Sequence, residues 1–437
     1  MKIEINIPKD VKKILNMLKE NGYEAYIVGG CVRDSILKRN PNDWDITTNA
    51  KPEEVMKLFD KVILTGIKHG TVTIVINKQS YEVTTYRTDG EYEDNRRPKE
   101  VKFVRDLKED LARRDFTINA MAYNEEEGLV DYFDGINDLN NKVIRTVGDA
   151  KKRFSEDALR MLRAIRFSSQ LDFIIDKNIL LAIKELKNNI NNISKERIRE
   201  EFNKILISNP RKINVLKECE LLDYIIPFIG EIYDFDKEKL YNHIIISTES
   251  IESILHLRLT MLLHEIGKVK REIKCENSIS KQTQNDESTL IAEKILKGLK
   301  YDNDTINKVL TLICYHDVNL TSKLSIKRIL NKIGEELTRD LIKIQRADIL
   351  AQNSINKKER LENLDDIECK LGIIIDNDEC FDLKNLNIDG KDLIDLGFKK
   401  GIEIGDTLKY LLDLVIEEPG LNIKEKLIKK AKEKLNN

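Results

Sequence analysis

The chain has 437 residues, 41% hydrophobic and 34% charged, with 19 glycines and 7 prolines. That length exceeds one ordinary core and predicts two to four domains, and the composition excludes disorder throughout. The net charge of −2 excludes a uniformly basic surface, though not a local basic stripe able to meet nucleic acid.

Targeting and redox signals are sparse. The opening MKIEINIPKD lacks the apolar core of a signal peptide. No run of ~18 apolar residues predicts a membrane span. Six scattered cysteines, with no C-x-x-C pair, predict reduced thiols in a cytoplasmic protein and no cysteine-built zinc site.

Strand signals concentrate near the N-terminus. AYIVGG reads as a buried strand ending in glycines, DWDITTN as a short strand, TVTIVIN and SYEVTTYR as a hairpin turning at KQ, and EVKFV as a further strand. Helices are expected at 8–21, 31–38, 52–60 and 109–122. Beyond residue 150 the pattern turns helical. SEDALRMLRAIRFSSQL reads as one amphipathic helix, and SKERIREEFNKIL as another, with Ser194 as N-cap and Arg197 where a capping-box glutamate would stand. The polar stretch 270–290 reads as a loop.

Chemistry first gathers in VGGCVRD and DWDITT. Gly29 and Gly30 lack a Cβ and let a ligand approach the backbone. A helix starting near Cys31 offers free N–H groups to an anion, and Arg33 can add a bidentate phosphate contact. Asp43 and Asp45 are two apart on the predicted strand and so share a face, with Trp44 turned toward the core. Two converging carboxylates need a cation, and Mg2+ commonly bridges carboxylates to substrate phosphates. Metals held there would activate an attacking hydroxyl and stabilise a leaving pyrophosphate. Either aspartate pair or glycine pair alone is weak evidence; their order and spacing are specific.

These motifs resemble the polymerase-β-type nucleotidyltransferase superfamily, in particular the class II tRNA nucleotidyltransferase and bacterial poly(A) polymerase family. The resemblance is dense over residues 23–210 and includes RRDFTINAMAYN, DYFDGINDL and ISKERIREEFNKIL. It implies an α/β (α+β) head followed by a predominantly all-α neck, body and tail, with boundaries at 1–145, 146–210, 211–355 and 356–437. It adds Glu82 as a third catalytic carboxylate. It also implies that Arg114 meets the incoming nucleotide while Asp115 and Asn119 read its ribose, on a helix shared with Arg113. The charged stretch before Arg113 corresponds to a flexible family loop that CC-only enzymes shorten, and its full length favours addition of the terminal A.

Asp157 and Arg160 are expected as helix neighbours at i and i+3. Cytosine and adenine each present an amino donor beside a ring-nitrogen acceptor, which an aspartate and an arginine match; uracil and guanine present the reverse. The resemblance makes this pair the amino-acid template, with Arg163 and Arg166 near the base and triphosphate. The implied substrates are the tRNA 3′ end, CTP and ATP. A poly(A) polymerase or a CC-only or A-only enzyme is the neighbouring alternative, and a homodimer stays open.

RLTMLLHEIGK resembles the LLHDIGK core of HD phosphohydrolases. His243, His264 and Asp348 could match its ligands, and His316–Asp317 survives, but Glu265 replaces the aspartate and the next histidine is gone. A scaffold that has lost the metal is expected, its helices packing and carrying RNA; a phosphohydrolase with a vestigial head is the alternative from another class. In the tail, Gly401 and Gly405 flank IEI before a helix, so backbone N–H groups there could face an RNA phosphate. The last helix is lysine-rich, which by itself reads as a solvated face; tRNA contact by the tail is what the family resemblance implies.

Overall fold

The computed structural model describes residues 3–90, 92–93, 97–98, 100–227, 238–268 and 281–435. The chain forms two compact units, Met1–Gly230 and Glu231–Asn437.

The first unit begins with α1 (Lys9–Glu20) and then β1 (Ala25–Val28), whose four residues are all buried. An uninterrupted apolar run of this kind suits a central strand covered on both faces. β2 (Ile46–Thr48), β3 (Val62–Gly66), β4 (Thr71–Ile76), β5 (Gln79–Thr85), β10 (Met121–Asn124) and β11 (Gly128–Asp131) complete a seven-stranded sheet, in the order β11-β10-β1-β2-β5-β4-β3. β4 and β5 form the expected hairpin. Its turn lies at Asn77–Lys78, both at positive φ, where a two-residue turn matches the strand twist. β2 and β5 run parallel with Ile46 opposite Val83. Outside the sheet, β6 (Arg87–Asp89) pairs with β9 (Val101–Phe103), and β7 (Tyr92–Glu93) with β8 (Arg97–Pro98). These ribbons lie in the charged stretch expected as a loop; residues 91, 94–96 and 99 fall outside the described residues.

α2 (Gly30–Ile36) and α3 (Pro52–Leu58) match their expected positions. The expected helix at 109–122 does not form as one element. α4 (Leu107–Ala112) ends before Arg113, a 3-10 turn spans Thr117–Asn119, and the remainder becomes β10. Asp115 accepts a hydrogen bond from the Phe116 amide at 2.9 Å, which competes with helix continuation, and pairing of β10 with β1 captures the following residues. Asp43 and Asp45 also stand just ahead of the strand rather than on it, although Val28 N–H still donates to Asp45 O at 3.0 Å. Trp44 is half-buried, not a core residue.

α5 (Gly135–Asn141), α6 (Ala150–Glu156), α7 (Leu159–Leu171), α8 (Lys177–Leu186) and α9 (Lys195–Ser208) follow. The single helix expected over 155–171 is therefore two helices broken at Asp157, which is extended (φ −137°, ψ 106°). Ser194 caps α9 by position only, without a side-chain hydrogen bond.

The second unit is helical among its described residues. Helices Leu255–Leu263, Asn303–Tyr315, Lys323–Ala351 and Lys357–Asp376 share a core that includes Met261, Leu312, Leu341 and Leu371. The stretch read as a loop over 270–290 is helical from Lys281 (Lys281–Gly298); residues 269–280 lie outside the described ones. Residues 380–431 form their own cluster around Leu393, Leu411, Val415 and Leu427. Gly401 caps the helix Ile402–Glu417, and Gly405 lies inside it. Among the described residues no helix is long and apolar enough to cross a membrane.

Candidate active site

The edge where β1 meets α2 and the neck helices carries a cleft of about 420 Å³. Gly29, Gly30, Arg33, Asp45, Arg114, Asp115, Asn119, Asp157, Arg160, Arg163 and Arg166 all line it. So do Arg113, Leu159, Phe167 and Arg197, which sequence reasoning did not single out as site residues. Seven arginines around one cavity form a dense positive surface for an anion as charged as a nucleoside triphosphate.

Gly29 follows β1 and caps α2 at φ +79°, a conformation that side chains rarely adopt, and a Cβ there would sit 3.2 Å from Arg114 Nη1. The bare backbone thus lets Arg114 lie over the strand-to-helix turn. Arg33 grips Asp34 with Nε and Nη2 at 2.8 and 2.9 Å and donates from Nη1 to Asn119 Oδ1 at 2.7 Å. Asn119 in turn donates to Asp115 Oδ1 at 3.3 Å. Asp115 Oδ2 receives two nitrogens of Arg163 at 2.8 and 2.6 Å. Burial works to raise the Asp115 pKa, but Arg163 and Arg160 outweigh it and hold the carboxyl down at about 2. Asp110 shows the same balance: it is fully buried, yet Arg114 and Arg113 keep its pKa lowered.

The ring of Phe167 underlies three guanidinium groups, those of Arg166, Arg33 and Arg163, at 4.2, 5.1 and 5.4 Å from its centroid. It is itself buttressed edge-on by Phe116 at 5.6 Å. A buried aromatic face attracts cations and fixes where these side chains stand. Its sequence signal is its place directly after the last of the regularly spaced arginines.

The expected Asp157–Arg160 neighbours are held by other groups. Asp157 Oδ2 accepts from Arg197 at 3.2 Å, and Oδ1 accepts from the Leu159 amide at 3.1 Å. Arg160 donates to Glu156 Oε2 at 2.6 Å and to the carbonyls of Arg153 and Arg113 at 3.2 and 3.3 Å. The break at Asp157 is the cause, because Asp157 leaves the helix that Arg160 enters. Both side chains still line the one cleft, with orientations set by separate partners.

Asp43 and Glu82 stand beside Asp45 rather than in the cleft lining. With Ile46 opposite Val83 in the parallel pair, the preceding residues Asp45 and Glu82 lie side by side. The Asp45 pKa is raised, first by desolvation and then by the charges of Glu82 and Asp43, while Arg114 opposes the shift. Two carboxylates whose charges act against that of Asp45 make a group that fits a divalent cation, whose oxygen-ligand chemistry would relieve that repulsion.

In the second unit His243, His264 and Asp348 converge, their ligand atoms lying within 4.8 Å of one another. Glu265 lies alongside, its carboxylate 3.9 Å from His243.

Family models cover most of the chain. Residues 25–145 match the poly A polymerase head domain, 172–232 a probable RNA and SrmB-binding site of polymerase A, and 273–431 a tRNA nucleotidyltransferase domain 2. The chain is 37% identical to a CCA-adding enzyme of Lactobacillus helveticus, over 92% of this chain and 91% of that one. It is 41% identical to that of Staphylococcus aureus strain MRSA252, over 68% of this chain and 74% of the other. The crystal structure of a Bacillus stearothermophilus CCA-adding enzyme in complex with CTP superimposes with a TM-score of 0.77 at 28% identity, covering 98% and 97% of the two chains. A phosphohydrolase with a vestigial head is thereby set aside. With the head motifs gathered in one arginine-lined cleft and the likeness running nearly end to end, the chain belongs to the CCA-adding enzyme family of nucleotidyltransferases.

Proposed function

We propose that this protein adds C, C and then A to the 3′ end of tRNA from CTP and ATP, without a nucleic-acid template. In each step the tRNA 3′-hydroxyl oxygen bonds to the α-phosphorus, the bond to the β-phosphate bridging oxygen breaks, pyrophosphate leaves, and the hydroxyl proton is lost. The observation that carries the assignment is one cleft lined by Asp45, Asp157 and seven arginines, Arg160 among them.

Asp43 and Asp45, with Glu82 beside them, would hold Mg2+. When bound, this ion lowers the pKa of the attacking hydroxyl and neutralises charge on the phosphates. Gly29 and Gly30 give the triphosphate access to backbone, and Arg33 and Arg114 supply guanidinium donors. Asp115 and Asn119, linked to each other and locked by Arg163 and Arg33, present a fixed polar pair to the ribose. Asp157 accepts from the exocyclic amine of C or A while Arg160 donates to the adjacent ring nitrogen. Opposite U or G, acceptor would meet acceptor and donor would meet donor. Arg163 and Arg166, stacked on Phe167, complete the cationic wall.

In this scheme residues 1–145 are the catalytic head, 146–210 the neck bearing the template, 211–355 the body, and 356–437 the tail that carries tRNA. The chemistry and the thiol pattern fit the cytoplasm.

The test offers the purified protein and Mg2+ a tRNA lacking CCA and another lacking only the terminal A, with each nucleotide alone and together. Addition that stops after C, C and A is expected. Unlimited A addition would assign a poly(A) polymerase, arrest after two cytidines a CC-adding enzyme, and no incorporation would overturn the proposal.

A further inference from the structure

Asp110 has no part in the reaction above, yet its side chain is 0% exposed and both carboxylate oxygens are engaged. Oδ1 accepts from Nε and Nη2 of Arg113 at 3.0 and 2.8 Å. It also accepts from the Arg87 amide, at the start of β6, at 3.3 Å. Oδ2 accepts from Thr47 Oγ1, on β2, at 3.3 Å and from Arg114 Nη2 at 3.4 Å. A carboxylate taken out of water is tolerated only where such donors compensate its lost hydration. The two oxygens are used unequally: Arg113 forks one, and Arg114 keeps a single long contact to the other.

That single contact governs where Arg114 stands. Its Nη1 lies over the turn after β1, 3.2 Å from the place of the Cβ that Gly29 lacks. The adjacent Val28 amide donates to the Asp45 carbonyl at 3.0 Å, and Arg114 and Asp45 line the same cleft. The guanidinium charge acts on both carboxylates, lowering the pKa of Asp110 and opposing the rise in that of Asp45. Arg114 Nε is buried and has no hydrogen-bond partner among the described residues. A buried donor left open in an arginine-lined cleft suits an incoming anion. Were Asp110 uncharged, Asp45 would be the carboxylate left to draw Arg114, and an ion pair there would occupy an oxygen that a cation needs.

We propose that Asp110 is a positioning residue that acts through Arg114: it aims this guanidinium at the triphosphate and keeps it from pairing with Asp45 in competition with the divalent cation. The inference rests on the reading of Asp45 as a metal ligand and Arg114 as a triphosphate donor. Asparagine at 110 isolates the effect. Its Oδ1 still accepts from Arg113 and the Arg87 amide. Its Nδ2 can donate to Thr47 Oγ1, whose own proton has the Thr84 carbonyl at 3.2 Å. Only Arg114 Nη2 then meets a donor instead of an acceptor.

The experiment uses the full chain and two binding measurements that need no turnover. CTP is titrated by calorimetry in the presence of chelator. Mn2+, a paramagnetic stand-in for Mg2+, is titrated by the resonance of the free ion, counting only the binding that Asp45→Ala removes. Asp110→Asn should weaken each about tenfold, the scale of one charge-assisted hydrogen bond. Arg114→Gln should weaken CTP binding to the same extent and leave Mn2+ binding no weaker than in the parent. In the Arg114→Gln background, Asp110→Asn should then change neither, whereas a direct field effect or a loss of packing would persist there. Unchanged binding in Asp110→Asn, or losses that persist without Arg114, would overturn the proposal. So would weaker Mn2+ binding in Arg114→Gln, a variant that leaves Asp110 with Arg113 and does not depend on how the asparagine variant folds. A parent chain with no Asp45-dependent Mn2+ binding would instead overturn the metal assignment itself, and this inference with it.

Discussion

In and behind the cleft of the first unit, buried or half-buried carboxylates face fixed guanidinium groups: Asp110 faces Arg113 and Arg114, Asp115 faces Arg163, and Asp157 faces Arg197. In the second unit, Asp348 faces two imidazole nitrogens that carry no fixed charge. The difference separates two uses of polar burial. A lattice of permanent charges is pre-organised and lets an anionic substrate enter and leave without rearranging its walls. A carboxylate set against imidazoles has partners whose charge depends on protonation. The head contains a third setting, where Asp45 has Asp43 and Glu82 as neighbours and its pKa is raised, in contrast to the lowered value of Asp115.

That contrast can be broken at three points. The largest effect is expected from Asp45→Ala. Losing a metal ligand should remove several kcal/mol of transition-state stabilisation, a fall of at least about a thousandfold in single-turnover incorporation. tRNA affinity should hold in a filter-binding assay; a variant that lost both would place Asp45 among the structural charges instead. Next comes Arg160→Ala. Glu156 keeps Arg153 at 2.8 Å, so the neck should stay folded while discrimination of CTP and ATP against UTP and GTP falls about a hundredfold. If UTP and GTP stayed excluded, the template assignment would fail.

The smallest effect concerns acid stability. The folded pKa of Asp115, about 2, lies below its ordinary 3.8. Its contribution to folding is therefore complete above the ordinary value and is lost as pH falls toward 2, amounting to about 2 kcal/mol. Urea unfolding between these limits should show that slope in the parent chain, and Asp115→Asn should flatten it. A slope identical in both would mean that other groups set the acid limit.

The sequence was most legible where structure is local. β1, the β4–β5 hairpin and α1 follow from alternation, apolar runs and turn residues a few positions apart. It misled where a distant partner decides. Nothing near residue 121 announces a strand, because β10 exists through pairing with β1, almost a hundred residues earlier. The amphipathic period across 155–171 hides the break at Asp157, which Arg197 engages from forty positions away. The motif residues were legible as a set because their order carries them, whereas Arg113, Phe167 and Arg197 reach the cleft only through folding. Arg197 was visible as an oddity, an arginine where a capping glutamate was expected, and its engagement with Asp157 accounts for that oddity.

Trp44 has a consequence of its own. It is the chain's single tryptophan, and it sits half-buried between Asp43 and Asp45. All indole emission from the protein therefore originates beside Asp43 and Asp45, the carboxylates proposed to hold the metal. Excited at the red edge, where tyrosine does not absorb, the native chain is expected to report metal and nucleotide arrival by a change in that emission, with no label and no substitution required.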